Sequence, residues 1–471
     1  MAIARKIAYN VVFNATAKII STVLALVAIG FITRYLGTSG FGDYSTVLAF
    51  FSFFGSFADL GLYSITTREI SRPDADEKSI LNNAFTLRLF SSVIVFILTP
   101  VLIFFLPYSS HVKMGILIAA ASFVFSSTYN VLNGVFQKNL AMDRVALAEV
   151  LGKVLQVSII ILAVKNNWGF TAIILSVLAA MIFNFSTVLF FLRKYARLKL
   201  QFDFVYWKKF LKESLPLGIS AVVIFIYFKI DTILLSVMKT NTEVGIYNAA
   251  YKVIENVSFF PAMIVGLVFP IFSRYIFSDK KEFSRIADET TKVFLILIVP
   301  IVIGTLFLSK NIINLIGGEA FLQSANTLRI LIFSLAFIFF GNLFNSLLIA
   351  GNHQKKLLLA AVVCAIFNVT ANLIFIPIFS YNGSAVVSTL TEFFVMVTGF
   401  ALTAKYINYI PSFKSLWRIL IAGGAMAIFL YLFKNTGFLF CVFFGSLIYA
   451  FFLWLTRTIT IKELSSIFWA E

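Results

Sequence analysis

The chain has 471 residues, 60% of them apolar and 13% charged, with a mean hydropathy of +0.95; soluble domains run at about 45–50% apolar and about a quarter charged. So much apolar surface excludes a soluble enzyme, a disordered chain and a secreted disulfide scaffold, and makes the bilayer the solvent. A net charge of +17 would suggest nucleic acid for a soluble protein, but here the excess of Lys and Arg reports orientation instead, and no nucleic-acid partner is inferred.

At about 20 residues per crossing, the apolar segments predict an all-α integral membrane protein of about 14 transmembrane helices. In chain order they cover 8–33, 42–67, 80–106, 113–136, 146–165, 169–192 and 214–238. They continue over 245–272, 293–313, 326–350, 357–379, 384–404, 417–433 and 437–456. The first of these follows Arg5 and Lys6 and runs to Phe31 without a small-residue cleavage site, so it reads as a span and not a signal peptide. Residues 39–42, 167–169 and 381–383 read as tight turns from their Gly, Ser and Asn content. No connection is long enough to hold a separate catalytic core.

The basic residues orient the chain. With the N-terminus inside, the outer side holds only Arg34, Lys113, Lys165, Lys239, Lys310, Arg329 and Lys434, while most of the 38 Lys and Arg fall inside. That bias places both termini in the cytoplasm of a cell (plasma or inner) membrane protein. The connection from Arg193 to Glu213 is the most basic and carries Phe202, Phe204, Tyr206, Trp207 and Phe210. It reads equally as a helix lying on an anionic inner leaflet and as a linker that merely obeys the charge rule. Residues 274–292 read as a short amphipathic surface helix.

Cys364 and Cys441 lie inside apolar runs, and His111 and His353 lie at span ends. Neither a disulfide framework nor a metal site follows from them, and no cofactor is predicted.

Two stretches echo each other. The sequence Arg34-Tyr35-Leu36-Gly37-Thr38-Ser39-Gly40-Phe41-Gly42-Asp43-Tyr44 joins spans 1 and 2, and Thr240-Asn241-Thr242-Glu243-Val244-Gly245-Ile246-Tyr247 joins spans 7 and 8. Both end in Gly-x-Tyr, and a second echo sets Trp168-Gly169-Phe170-Thr171-Ala172 beside Asn382-Gly383-Ser384-Ala385. Both offsets are roughly 200 residues with an even number of spans between, the pattern of a parallel repeat about an axis along the membrane normal. The chain then divides into a six-helix lobe (1–196), a basic cytoplasmic linker (197–213), a second six-helix lobe (214–406) and an appended helix pair with a cytoplasmic tail (407–471).

Several of these residues resemble a known family. They are Arg34-x-Leu36-Gly37 with Phe41-Gly42-x-Tyr44, Gly61-Leu62 with Arg68-Glu69, and Asp231-Thr232-Ile233-Leu234-Leu235 with Glu243-Val244-Gly245-x-Tyr247-x-x-Ala250-Tyr251-Lys252. Pro261, Pro270-x-Phe272-Ser273, Gly351-Asn352-His353-Gln354-Lys355, Asn368-x-x-x-Asn372, Ile376-Pro377 and Gly383-Ser384-Ala385 extend the match over spans 1–12. The pattern is similar to the polysaccharide transporter family, the O-antigen-type flippases of the multidrug/oligosaccharidyl-lipid/polysaccharide exporter superfamily. The resemblance implies two six-helix lobes around a central cavity, alternating access, and a lipid-linked sugar as substrate.

Ionisable residues inside the spans are the candidate site, because a charge at mid-bilayer costs about 2.5–3.5 kcal/mol unless it faces protein or water. At 1.5 Å per residue, Lys18 lies about 15 Å into span 1 with Asn14 and Ser21 on its face, and Arg88 about 12 Å into span 3. Lys252 and Glu255 are i,i+3 neighbours in span 8 and can pair. These residues are assigned to the cavity, with Arg34 at the outer mouth as an anion receiver or an anchor. Lys229 joins them as a cavity residue or one that snorkels outward. Asp59, Asp231 and Glu392 are the candidates for ion coupling. Glu149 and Lys153 read as a structural i,i+4 pair.

The reading is a flippase without enzymatic activity that moves a polyprenyl (di)phosphate-linked oligosaccharide from the inner to the outer leaflet for cell-surface polysaccharide biosynthesis. Lys and Arg suit a diphosphate head. The chain would act as a monomer among membrane lipids, beside a polysaccharide polymerase or glycosyltransferases. The alternatives are a cation-coupled multidrug exporter of the same superfamily, using Asp59, Asp231 and Glu255, and a membrane glycosyltransferase or polymerase.

Overall fold

The computed structural model describes residues 2–59, 62–72, 75–434 and 436–458, and among these every regular element is a helix. A chain that leaves water must satisfy each backbone amide within its own segment, and helices do so. The helices are α1 (Ala2–Asp59), α2 (Leu62–Ile70), α3 (Glu77–Phe104), α4 (Ser110–Lys138), α5 (Met142–Lys165), α6 (Gly169–Leu192) and α7 (Phe204–Met238). They continue as α8 (Asn241–Val257), α9 (Phe259–Tyr275), α10 (Lys280–Gly317), α11 (Ser324–Ala350), α12 (Gln354–Ile407), α13 (Leu416–Phe433) and α14 (Phe438–Leu455).

Among the described residues, 12 helical stretches are long and apolar enough to cross a membrane. Two of them are double length, Val12–Ser56 with 45 residues and Gln354–Ile407 with 54. A straight helix of 54 residues would be about 80 Å long, far beyond the about 30 Å of hydrocarbon, so each must break. Helix α1 breaks at Gly37 (φ 66°, ψ −172°) and α12 at Ser380 (φ 52°, ψ −136°). Each then accommodates two of the segments marked in the sequence.

Three local expectations need correction. The turn expected at 39–42 sits earlier, at Gly37, whose positive φ suits glycine; Gly40 and Gly42 are helical. The turn expected at 381–383 falls on Ser380, with 381–383 already helical. The surface helix expected over 274–292 is instead the end of α9, a turn at 276–278, and the start of α10, which runs for 38 residues from its cap at Asp279. That cap accepts the Lys281 and Glu282 amides at 3.0 Å each, satisfying orphan donors of the first turn. The turn at 167–169 stands where it was expected, with Asn167 and Gly169 at φ 56° and 80°, and the Gly169 amide donates to the Tyr35 hydroxyl at 2.9 Å.

The chain forms two compact units, Met1–Asn248 and Ala249–Glu471. In the first, α1 packs on α4, α5 and α7, and α4 packs on α3 and α6. Helix α7, placed by the sequence at the start of the second lobe, thus belongs to the first unit. Leu81, Phe85, Leu132, Phe136, Val145 and Val188 make one of its cores. In the second unit α10 lies against α9, α11, α13 and α14, and α11 against α12. The terminal pair α13–α14 buries Ile419, Ala422, Met426 and Leu430 against Leu295 and Leu308 of α10, and the Tyr449 hydroxyl donates to the Ile296 carbonyl at 3.0 Å. The tail beyond 458 lies outside the described residues.

Candidate functional site

The two echoed glycines meet. A Cβ on Gly42 would land on the Asn241 carbonyl oxygen, and one on Gly245 on the Thr38 carbonyl oxygen. Each would also lie 3.1 Å from the other glycine's backbone nitrogen. Thr38 precedes Gly42 by one helical turn, as Asn241 precedes Gly245, so the contact is reciprocal in the manner of a two-fold relation. Phe41, Tyr44, Val244 and Tyr247 are buried around it.

Asp231, 1% exposed, is linked to this crossing through Tyr247. The Tyr247 hydroxyl donates to its Oδ2 and the Thr232 amide to its Oδ1 at 3.2 Å, while Thr232 Oγ1 donates to Asn248 Oδ1 at 3.3 Å. The carboxylate is thereby tied into the joint between α7 and α8. Lys229, two residues earlier, is half-buried.

The cations of the first unit are in unlike settings. Lys18 is exposed on α1 and stands within electrostatic range of Glu149 on α5. The Lys153 ammonium donates to Gln156 Oε1 at 3.0 Å. Arg34 is exposed and its Nη1 donates to the Gly30 carbonyl one turn back, at 3.1 Å. Arg88, by contrast, is 2% exposed, and its Nε donates to the Ser127 carbonyl of α4 at 3.3 Å. The side chain of Asp59 lies outside the described residues.

In the second unit the expected pair forms, with Lys252 Nζ 2.7 Å from Glu255 Oε2 and both side chains partly buried. Glu392 is 7% exposed. Beside it in sequence, Thr391 accepts from Asn368 Nδ2 at 3.0 Å. Asn372 Nδ2 donates to Asn368 Oδ1 at 3.2 Å, and the Ser384 hydroxyl donates to Asn372 Oδ1 at 3.1 Å. Asn368, Asn372 and Ser384 have no exposed surface, so this polar ladder braces the two arms of α12 on either side of Ser380.

Sequence reasoning missed two clamps. Asn10 Nδ2 donates to the Leu140 carbonyl at 2.9 Å, and its Oδ1 accepts the Asp143 amide at 3.1 Å. It thus ties α1 to the first turn of α5; the signal was its place four residues before Asn14, on the Lys18 face. His111 Nε2 lies 2.9 Å from Asp43 Oδ2, a contact between residues far apart in sequence that spacing does not reveal.

A family model described as "Polysaccharide biosynthesis protein" matches residues 7–276. The chain is 22% identical over 407 residues to the "Probable low-salt glycan biosynthesis flippase Agl15" of Haloferax volcanii, covering 85% of this chain and 82% of that one. In fold it is similar to "Lipid II flippase MurJ, inward closed conformation", with a TM-score of 0.73 at 19% identity over 97% of this chain and 98% of that one. It is also similar to an inward-facing multidrug resistance MATE family transporter of the MOP superfamily, at TM-score 0.70 and 14% identity over 84% of this chain and 98% of that one. With more than half of its length matched by one family model, this multi-pass chain, helical in every described element, belongs to the polysaccharide biosynthesis protein family.

Proposed function

We propose that the protein is a flippase for a polyprenyl (di)phosphate-linked oligosaccharide, carrying it from the inner to the outer leaflet by alternating access. The observation that carries this is the family match over residues 7–276, supported by a relative named a glycan biosynthesis flippase along most of both chains. The likeness to the lipid II flippase structure adds the fold. The candidate cations for the phosphates are Lys18 and Arg34 in the first unit and Lys252, paired with Glu255, in the second. Ammonium groups in a water-poor setting bind a diphosphate through charge-assisted bonds. No bond is made or broken, so no catalytic residue is needed. In cells, loss of the protein should leave the lipid-linked sugar confined to the inner leaflet. Unchanged delivery to the outer leaflet would count against the reading.

The cation-coupled drug exporter is the second reading, and buried Asp231 and Glu392 favour it. Neutralising either would then stop export of a cationic drug.

The Lys and Arg bias supports cytoplasmic termini. Single cysteines at Ser39 and Asn382 should react with an impermeant maleimide in intact cells, and one at Ser278 should react only after lysis. Reaction at Ser278 in intact cells would reverse the orientation.

A further inference from the structure

We propose that residues 193–212 form a docking surface for the anionic phospholipid headgroups of the bilayer, held in place by α3. Residues 199–203 are not helical; they lie along one polar face of α3. Three alternate backbone amides donate to that face: Lys199 to Asn82 Oδ1 at 3.0 Å, Gln201 to Thr86 Oγ1 at 3.0 Å, and Asp203 to Asn83 Oδ1 at 3.1 Å. Gln201 Nε2 reaches Ser79 Oγ at 3.1 Å and the Trp207 indole reaches Asn83 Oδ1 at 3.2 Å. Positions 79, 82, 83 and 86 share a face at helical spacing, so α3 offers an acceptor at nearly every turn. Downstream, Arg68 of α2 is ion-paired to Glu213 of α7. The segment is a strap fastened at both ends.

What the strap presents is both apolar and cationic. Leu200, Phe202, Phe204 and Val205 are 58%, 51%, 72% and 83% exposed. The rings of Phe202 and Phe204 form a ridge with Trp207, at centroid distances of 5.9 and 5.3 Å. Around the ridge Arg197, Lys199, Lys208, Lys209 and Lys212 are exposed. The one acid of the segment, Asp203, is committed to the Tyr206 amide that it caps at 3.0 Å, and Glu213, just beyond the segment, to Arg68.

Large apolar side chains left exposed, with cations on their flanks, match the boundary between headgroups and acyl chains: rings enter the upper acyl region and ammonium groups meet phosphates. Tight anchorage to α3 means that this surface exists before lipid arrives and loses little freedom on binding. The side of the membrane follows from the orientation proposed above; contact with anionic lipid does not depend on it, nor on transport.

The test uses the full-length protein carrying Cys364→Ala and Cys441→Ala, with Val205→Cys bearing a bimane label. It is reconstituted in phosphatidylcholine with and without phosphatidylglycerol. Lipid brominated high on its acyl chain should quench the label, severalfold more strongly when phosphatidylglycerol is present. The triple change Lys208→Gln, Lys209→Gln and Lys212→Gln should remove that dependence, while a label at Val442→Cys in α14 is quenched equally throughout. Quenching at 205 by aqueous iodide and not by brominated lipid would overturn the proposal, as it would if a protein partner were the true occupant. Lipid quenching indifferent to phosphatidylglycerol and to the three lysines would overturn it too. Asn83→Ala, which frees the Asp203 amide and the Trp207 indole, should weaken the contact without abolishing insertion.

Discussion

Alanine in place of Gly42 or Gly245 is expected to cost most of the folded protein in the membrane and to lower its melting temperature sharply in detergent. Overpacking a tight contact typically costs about 1–3 kcal/mol because neighbours must shift. Here the atom struck is a backbone carbonyl oxygen, that of Asn241 or Thr38, which cannot rotate away as a side chain would. Because the contact is reciprocal, either substitution separates the same two helices, and the double change should be little worse than the single ones. Gly55 and Gly424 supply the control, since a Cβ at either meets nothing within 4 Å. Both are helical, so alanine there should be neutral or slightly stabilising. A Gly42→Ala protein with an unchanged melting temperature would show that the two helices are free to separate at this point.

The second large effect is expected from the intramembrane cations. Lys18→Gln and Lys252→Gln should each weaken binding of the lipid-linked sugar by roughly ten- to a hundredfold, the equivalent of a charge-assisted contact of about 1.5–3 kcal/mol. Lys18→Arg should be milder, since it keeps the charge and changes the geometry. Arg88→Gln should lower protein levels together with transport, because Arg88 is buried and bonded to the Ser127 carbonyl. Glu255→Gln separates a binding role from a structural one. If Lys252 serves the phosphates, freeing it from its 2.7 Å partner should leave binding intact or tighter. If the pair only joins helix surfaces, Glu255→Gln should harm the protein as much as Lys252→Gln does, since a lone charge in a poorly solvated place is costly.

How far the sequence could be read depended on the range of the contact. The pairing of Lys252 with Glu255 needs only the helical period and was legible. So were most helices, because apolar runs of bilayer length have few other uses. Gly42 and Gly245 were noticed as echoes, yet Gly42 was taken into a turn, since a glycine among small polar residues is the ordinary signal for one. Its reason is a backbone 200 residues away, and no local pattern carries that. The same holds for Lys18 beside Glu149, for His111 on Asp43 and for the Asn10 clamp. In the strap, composition gave the charge and the aromatics, whereas the fastening to Asn82, Asn83 and Thr86 comes from tertiary structure. The start of α10 was misread because its amphipathic first turns resemble a free surface helix, and nothing in their pattern marks the seamless join to the span that follows.

The most direct measurement is translocation in vesicles reconstituted with the purified protein, using a fluorescent polyprenyl diphosphate-linked oligosaccharide and, in parallel, a cationic dye. Protein-dependent movement of the lipid-linked sugar between leaflets is predicted, reduced by Lys18→Gln and Lys252→Gln and unaccompanied by dye transport. Export of the dye that fails in Asp231→Asn or Glu392→Gln, with the lipid-linked sugar left where it began, would contradict the flippase and establish the drug exporter instead.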